Sequence, residues 1–375
     1  MIFDETQCAI RDTVRAFAQS EIAPHARRFE AEGGYPPTLF KQLADLGLMA
    51  MTLPETLGGG GADYVSYALA LIEIAAGDGP LSTIVSIQNS LIVGSLAGMG
   101  DPAQQAQFLP GLIDGSCIGA FALTEADAGS DASAIRTRAT KVNGGYRLNG
   151  AKQFISSGRI GGLAIVFAVT DPAAAKRGIS AFLVPTDRRG YRIEKVEHKL
   201  GQRASDTCAI RFDDVFIEDD LLLGEEGEGY RIALANLEVG RIGIAAQSVG
   251  MAQAALAIAV TYAKERHSFG KPILHHQAVG FRLADLTTRL EAARQLVLHA
   301  ASLKDAGQPC LTEASMAKLF ASEAVEAMCS GAIQTLGGYG YLEEFGLAKI
   351  YRDSRVCQIY EGTSDIQRMV IARTL

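Results

Sequence analysis

Residues 359–368 place a carboxylate where it could act as a general base. Glu361 follows the apolar pair Ile359 and Tyr360 and precedes Gly362. Glycine permits a bend that a residue with a side chain resists, so Glu361 is expected to lie on a fixed turn. Apolar surroundings raise the pKa of a glutamate toward neutrality, as general-base catalysis near pH 7 requires. The segment is therefore compatible with proton abstraction by Glu361.

A helix is predicted to follow this turn. Ser364 and Gln367 have the three-residue spacing of a capping box, which predicts a helix that begins at Ser364 and continues through residues 369–371. A carboxylate just before a helix also interacts favourably with the positive end of the helix dipole. From these residues alone, Glu361 is either a base or a structural charge.

Patterns that identify several other enzyme classes are absent from the sequence. It has no GxGxxG dinucleotide fingerprint, no GxxxxGK[ST] phosphate loop and no GxSxG serine elbow. His275 and His276 are the only adjacent histidines, and without an HExxH pattern they predict no metal site. The six cysteines contain no CxxC pair, which indicates reduced thiols rather than a zinc site or a disulfide framework.

The hydrophobic period changes twice along the 375 residues, which predicts an α+β fold in three parts. Helical spacing in residues 1–117 predicts an N-terminal helical domain. Period-two runs in residues 118–221 predict a central antiparallel β-barrel or sandwich. Helical spacing returns after Gly229, so residues 222–375 are predicted to form a C-terminal helical bundle.

Compact apolar runs in the central part predict its strands. GLAIVFAVT at 162–170 and GISAFLV at 178–184 suit buried strands, and residues 209–212 alternate in polarity. Asn143-Gly144-Gly145 predicts a hairpin turn between two of the strands. Turns rather than crossover helices join the runs, which favours antiparallel pairing.

Charge and polarity predict a protein of the cytoplasm that binds neither nucleic acid nor membrane. The net charge of −7 gives no attraction to phosphate backbones or anionic lipids. Residues 242–263 carry no charge and could span a bilayer, but Gln247, Ser248 and Gln253 favour a helix buried among other helices. Residues 1–15 contain charges and no apolar run, so no signal peptide is predicted.

Many segments, in order along nearly the whole chain, resemble the acyl-CoA dehydrogenase family. IYEGTSDIQR at 359–368 is similar to the C-terminal motif of that family. The other similar segments are Leu123–Glu125 with Gly129–Asp131, Ala151–Gly158, Gly178–Pro185, Lys199–Gly201, Asn236–Arg241, Tyr262–Gly270, Gln277 and Gln334–Tyr341. The resemblance implies the fold of that family, with a four-helix bundle in the C-terminal domain.

The resemblance also implies a reaction and a cofactor. An acyl-CoA thioester loses an α proton to Glu361 and a β hydride to FAD, which gives the trans-2-enoyl-CoA. Substrate contacts are implied at Ser130, Arg241 and Gly362. FAD contacts are implied at Thr124, Phe154, Ser156, Arg266, Phe269, Gln277, Gln334, Gly337, Gly338 and Thr363. The set from Arg266 to Gly338 matches segments that hold the FAD of a neighbouring subunit.

Partners and pathway follow from the same resemblance. Shared FAD sites imply a homo-oligomer, expected to be a homotetramer built as a dimer of dimers. An electron-transfer flavoprotein is the expected electron acceptor, and fatty acid β-oxidation is the expected context. Residues 88–90 and 359–363 look most like short-chain members, so a short or branched short acyl group is the expected substrate.

Three departures from the family pattern bear on this expectation. Ala126-Asp127 stands where the family often has Pro-Gly, and Phe154 stands where it often has tryptophan. Some relatives carry their base at the position of Gly240, which favours Glu361 as the base here. Two alternatives within the fold remain: a flavin-dependent oxidase or monooxygenase, and a dehydrogenase of a carrier-bound or otherwise unusual acyl thioester. A CoA-binding protein without catalysis is a third.

Overall fold

Helical, sheet and helical blocks follow one another along the chain, in the order that the sequence predicts. The computed structural model describes residues 2–375. The helices are α1 (Glu5–Phe17), α2 (Ala26–Glu32), α3 (Pro37–Asp45), α4 (Tyr64–Gly77), α5 (Gly79–Ile87), α6 (Gly94–Met99), α7 (Pro102–Ile113), α8 (Gly229–Glu265), α9 (Gln277–Asp305), α10 (Leu311–Leu336), α11 (Leu347–Ser354) and α12 (Ser364–Ala372). The strands are β1 (Gly119–Ala122), β2 (Arg138–Val142), β3 (Gly145–Ser156), β4 (Leu163–Val169), β5 (Ile179–Pro185), β6 (Tyr191–Val196), β7 (Thr207–Glu218), β8 (Leu222–Leu223), β9 (His267–Ser268) and β10 (Lys271–Pro272).

The central strands form one sheet in the order β6-β7-β3-β2-β4-β5-β8, with β1 beside β4. The predicted hairpin joins β2 to β3, and Gly144 adopts a φ of 77° in its turn. The two apolar runs predicted as strands are β4 and β5, which pair antiparallel and are almost wholly buried. The sheet extends to Leu223, two residues beyond the predicted bound at 221.

One part of the predicted pairing is wrong. β1 runs parallel to β4 along its whole length, and β2 meets β4 in parallel at the pair Arg138 and Val169. Because the loop at 123–137 returns the chain before β2 begins, β1, β2 and β4 all run in the same direction. The sheet is therefore mixed, although the other pairs are antiparallel.

The long helices of the C-terminal part pack around α8. Helix α8 contacts α9 and α10, and it also contacts α4 and α5 of the N-terminal part. The uncharged stretch 242–263 lies within α8, and most of its first half is buried. By length and composition, 79–99 and α8 could each cross a membrane, but 83% and 78% of their most apolar windows are buried inside the protein. The predicted buried packing of residues 242–263 agrees with this arrangement.

A buried ionic network ties the three blocks together. Lys349 on α11 contacts Asp78, just before α5, at 2.5 Å and Asp353 at 2.7 Å. The backbone N–H of Gln202, from the loop between β6 and β7, donates to Asp353 at 2.5 Å. The hydroxyl of Tyr35 donates to Asp78 at 2.5 Å. Burial opposes the charge on Lys349, but the two carboxylates outweigh it and raise the pKa of this lysine.

Replacement of Lys349 by methionine is expected to destabilise the fold strongly. Lys349→Met leaves Asp78 and Asp353 buried without their cation, and breaking a buried pair in this way costs about 3–5 kcal/mol. Lys41→Met is the control, because Lys41 forms an exposed pair with Asp45 and its loss should change little. Urea unfolding followed by circular dichroism measures both variants. Equal stability of the two variants would show that the network contributes no more than a surface pair.

Candidate active site

A cavity of about 610 Å³ lies where the sheet meets the C-terminal helices. Its walls come from the loop after β1, the end of β3, the loop between β6 and β7, and the turn before α12. The lining residues that the sequence predicts are Thr124, Ser130, Phe154, Ser156, Glu361, Gly362 and Thr363. The structure therefore brings together seven of the predicted site residues from three separate segments.

An irregularity in β3 directs an aromatic side chain into this cavity. The pairing of β3 with β7 shifts register between Lys152 and Ile155, and Phe154 adopts a φ of 59°. The extra residue in such a bulge turns a side chain away from the regular alternation. The side chain of Phe154 is accordingly 62% exposed although it lies within a strand, and the N–H of Gln153 donates to Thr124 O at 2.9 Å.

A buried ion pair that the sequence analysis missed supports the same loop. Nζ of Lys152 lies 2.8 Å from Oε1 of Glu125 and donates to Leu123 O at 2.9 Å. The carboxylate of Glu125 also accepts from the N–H groups of Arg136 and Thr137 at 2.6 and 2.9 Å. Burial opposes ionisation of Glu125, but Lys152 and these hydrogen bonds outweigh it and lower the pKa. Glu125 is thus ionised at neutral pH, with its oxygens occupied.

Glu361 is the carboxylate of the cavity without a partner. Its Oε2 atom is shielded from solvent and makes no hydrogen bond within residues 2–375. Burial raises the pKa of Glu361 to about 7, and the positive charges of Lys318 and Arg241 oppose the rise. The raised pKa agrees with the prediction from Ile359 and Tyr360. A carboxylate with this pKa can accept a proton at neutral pH.

The absence of a side chain at Gly240 makes room for this carboxylate. Gly240 lies in α8, and a Cβ atom there would lie 2.9 Å from Cδ of Glu361 and still closer to its Oε2. Real Cβ atoms do not approach other heavy atoms so closely. One turn further along α8, a Cβ on Gly243 would lie 2.9 Å from the hydroxyl of Tyr67 and closer still to Oγ of Ser86. Helix α8 therefore presents a backbone surface to the base.

The turn before α12 differs in detail from its prediction. Thr363, not Ser364, caps the helix, and its Oγ1 accepts from the N–H of Ile366 at 3.3 Å. The side chain of Gln367 does not bond back to the cap. Its Nε2 instead donates to the carbonyl oxygens of Glu361 and Gly362 at 3.2 and 2.9 Å. The bend is shared by two residues, since Glu361 has a φ of 55° and Gly362 a φ of 86°.

A second cavity, of about 450 Å³, collects the predicted residues at the far end of α8 and α10. Arg266, Gln334, Gly337 and Gly338 line it, and the guanidinium of Arg266 lies 5.8 Å from the ring centre of Tyr339. The two cavities share no lining residue. Within one chain, these four predicted residues therefore do not lie in the cavity that contains Glu361.

The remaining predicted residues lie outside both linings. Phe269 is at the tip of the β9–β10 hairpin, with a φ of 49° and a side chain that is 95% exposed. Gln277 is the first residue of α9. Arg241 is buried well inside α8. Its Nε atom has no hydrogen-bond partner within residues 2–375.

The chain matches three domain families of known proteins. The acyl-CoA dehydrogenase N-terminal, middle and C-terminal domain families match residues 4–116, 120–215 and 227–375. Together these matches cover nearly all of the sequence.

Individual relatives are similar over almost their whole length. The mitochondrial short-chain specific acyl-CoA dehydrogenase of Rattus norvegicus is 45% identical over 368 residues, which is 98% of this chain and 89% of the relative. The caffeyl-CoA reductase-Etf complex subunit CarC of Acetobacterium woodii is 42% identical over 376 residues, which is 100% and 99% of the two chains. The solved structure of butyryl-CoA dehydrogenase from Megasphaera elsdenii superposes with a TM-score of 0.97 at 39% identity and covers 100% and 99%.

Proposed function

Because the chain belongs to the acyl-CoA dehydrogenase family, we propose that it oxidises a short acyl-CoA thioester to the trans-2-enoyl-CoA, with Glu361 as the base. The family and the three-part fold that the motifs predict are confirmed by the domain matches and the superposition. The shielded, unpartnered carboxylate of Glu361 in the 610 Å³ cavity is the observation that carries the proposed mechanism.

The family is FAD-dependent, and residues of the main cavity fit a flavin ring. Phe154 offers an exposed aromatic face, on which a flat conjugated ring can pack. The hydroxyls of Thr124 and Ser156 line the same wall and make no hydrogen bond within residues 2–375, so both are available to the polar edge of the ring. We propose these three residues as the flavin contacts of the chain, with Thr363 beside them.

The second cavity fits the phosphate-bearing part of the cofactor. Arg266 has no carboxylate partner within residues 2–375, and a free guanidinium suits a bidentate phosphate contact. Gly337 and Gly338 permit close approach of the backbone, and nothing lies within 4 Å of a Cβ built on either residue. Because the two cavities are separate in one chain, we propose that Arg266, Gln334 and these glycines serve the FAD of a neighbouring subunit, with Phe269 and Gln277.

In the proposed reaction, Glu361 takes the α proton of the thioester. Bound FAD supplies the acceptor for the β hydride. The backbone N–H of Glu361 makes no hydrogen bond within residues 2–375 and is available to the thioester carbonyl. A donor at that oxygen stabilises the negative charge that develops as the proton leaves, and so lowers the barrier. Exclusion of water around Oε2 strengthens both interactions.

The size of the acyl group is inferred from two side chains close to the base. Tyr67 and Ser86 are hydrogen-bonded at 3.2 Å and pack against Gly243, one helical turn beyond the glycine that faces Glu361. We infer that these side chains limit the length of the acyl group that the site accepts. We therefore propose a substrate of butyryl size or a short branched acyl group, bound with Ser130 near the mouth of the cavity and with Gly362 and Arg241 behind the base.

We also propose a homotetramer that passes electrons to an electron-transfer flavoprotein. The division of the FAD contacts between two cavities supports an assembly of at least two chains. The similarity to a subunit of a complex that contains Etf supports the class of acceptor.

Removal of the Glu361 carboxylate tests its role as the base. Glu361→Gln should keep FAD and lose proton abstraction, so flavin reduction by butyryl-CoA should slow by about 10²–10⁴-fold. The measurement is anaerobic titration of the yellow protein with acyl-CoA thioesters of increasing length, followed by bleaching of the flavin absorbance. Wild-type protein should bleach best with the shortest thioesters. Undiminished bleaching of the variant would refute the base, and a wild-type protein that no saturated thioester bleaches would favour an oxidase.

A methyl group at position 240 tests the space beside the base. Gly240→Ala adds a methyl group where Oε2 of Glu361 lies, so the carboxylate must rotate away and flavin reduction should slow at least about tenfold. Gly98→Ala is the control, because nothing lies within 4 Å of a Cβ on that helical glycine. Stopped-flow reduction by butyryl-CoA measures both variants, and their melting temperatures show whether the fold persists. Equal rates in the two variants would contradict the predicted overlap.

Removal of the Arg266 guanidinium tests the phosphate contact. Arg266→Ala should weaken FAD binding by about 10–100-fold, the usual loss for one charged hydrogen bond. Arg289→Ala removes an exposed arginine of α9 and should leave FAD binding unchanged. Gel filtration at low protein concentration, followed by the ratio of flavin to protein absorbance, gives the occupancy. Full occupancy in Arg266→Ala would exclude a phosphate role for this residue.

A further inference from the structure

Lys318 is a fully buried lysine of α10 that lies beside the turn of Glu361. None of its side chain is exposed, and its Nζ donates to the carbonyl oxygen of Gly362 at 2.6 Å. Lysine is almost never fully buried unless it is paired. No carboxylate within residues 2–375 is in ion-pair contact with Lys318, and the carbonyl oxygen of Gly362 is the hydrogen-bond acceptor of its ammonium. This placement indicates a role in the site rather than in general packing.

The turn has a conformation that needs such support. Glu361 and Gly362 both have positive φ, a region that a residue with a side chain seldom adopts and that carries strain where it occurs. Gln367 donates to the carbonyl oxygens of both residues. Lys318 adds a charged donor to the second oxygen, so two side chains hold the two carbonyls inside the protein. The direction of the Glu361 side chain is fixed by this backbone.

Few other charged or titratable side chains lie close to Glu361. Arg241 faces it from α8, Tyr67 from α4, and Tyr360 precedes it. The tyrosines are neutral at physiological pH, because burial raises the pKa of both. The buried cations near the base are therefore Lys318 and Arg241.

The surroundings of Lys318 leave its charge largely intact at neutral pH. Cys357 lies near its ammonium in addition to Arg241 and Glu361. Burial raises the pKa of the Cys357 thiol, which is thus neutral as well. Burial lowers the pKa of Lys318 to about 8, so the lysine is mostly protonated at pH 7.

We propose that Lys318 is a positioning residue for Glu361, which holds the strained turn through the Gly362 carbonyl and lends positive charge to the buried carboxylate. This inference rests on the proposed function, in which Glu361 is the base. Two helices of the bundle then serve the base. Lys318 on α10 holds the turn that carries Glu361, and Gly240 on α8 leaves room for its carboxylate.

Three substitutions separate the two parts of the role. Lys318→Met keeps the length of the side chain and removes both charge and donor. Lys318→Gln removes the charge and keeps a donor. Lys318→Arg keeps both. Lys41 is an exposed lysine of α3, far along the chain from the site. Lys41→Met therefore controls for the loss of one positive charge.

The pH dependence of flavin reduction distinguishes positioning from packing. The rate with limiting butyryl-CoA should rise through the pKa of Glu361, since the base must be ionised. Loss of a nearby cation disfavours the ionised form, so the acid limb should move upward by about one pH unit in Lys318→Met and Lys318→Gln. Lys318→Arg should return the limb toward its wild-type position, and Lys41→Met should not move it.

The possible outcomes are separable. An upward shift in the Met and Gln variants with recovery in the Arg variant supports the inference. An unmoved limb in a Met or Gln variant that binds FAD overturns it, even if the rate falls. If Lys318→Met does not fold, the comparison of the Gln and Arg variants decides. Glu361→Gln is measured in parallel: its full activity would refute the base itself, whereas its inactivity with an unmoved limb in the Lys318 variants refutes the positioning role alone.

Discussion

A carboxylate kept away from water, yet able to ionise near pH 7, is the constraint that shapes this molecule. Burial alone would hold Glu361 protonated, and full exposure would leave it too weak a base. The fold meets the two demands with separate elements. Helix α8 has no side chain at Gly240, which leaves room for the carboxylate. Arg241 and Lys318 supply positive charge from two helices.

Hydrogen bonds between the three blocks of the chain border the cavity, which is lined by Thr83, Gln202 and Tyr360. The backbone N–H of Gln202 donates to Asp353, and the side-chain oxygen of Gln202 accepts from the hydroxyl of Thr83 at 3.0 Å. Thr83 is in turn bonded to Gln247 of α8 at 2.5 Å, and Gln247 accepts from the hydroxyl of Tyr360. A chain of side chains thus links the sheet, both helical blocks and the residue before the base. Such a network connects the strained turn to the buried core.

The sequence predicted what depends on local pattern and missed what depends on packing. The turn at Glu361 and the strands of the central sheet follow from neighbouring residues, whereas the raised pKa of Glu361 comes from its burial in the folded protein. The cap at Thr363 was placed one residue late, because Ser364 and Gln367 imitate a capping box while Gln367 in fact supports the preceding turn. The parallel position of β1 depends on the path of a loop. Lys318 was overlooked because a helical lysine normally reaches solvent, and only the folded bundle buries it.

The contact between Gly240 and Glu361 has a historical consequence. Two positions far apart in sequence compete for one volume, and a carboxylate can occupy it from only one of them at a time. Suppose that the base moves from position 361 on the turn to position 240 on the helix. If the new carboxylate is added first, both side chains crowd the site. Removal first would leave an intermediate with no base. The two substitutions are therefore expected to be strongly coupled in their effect on the reaction.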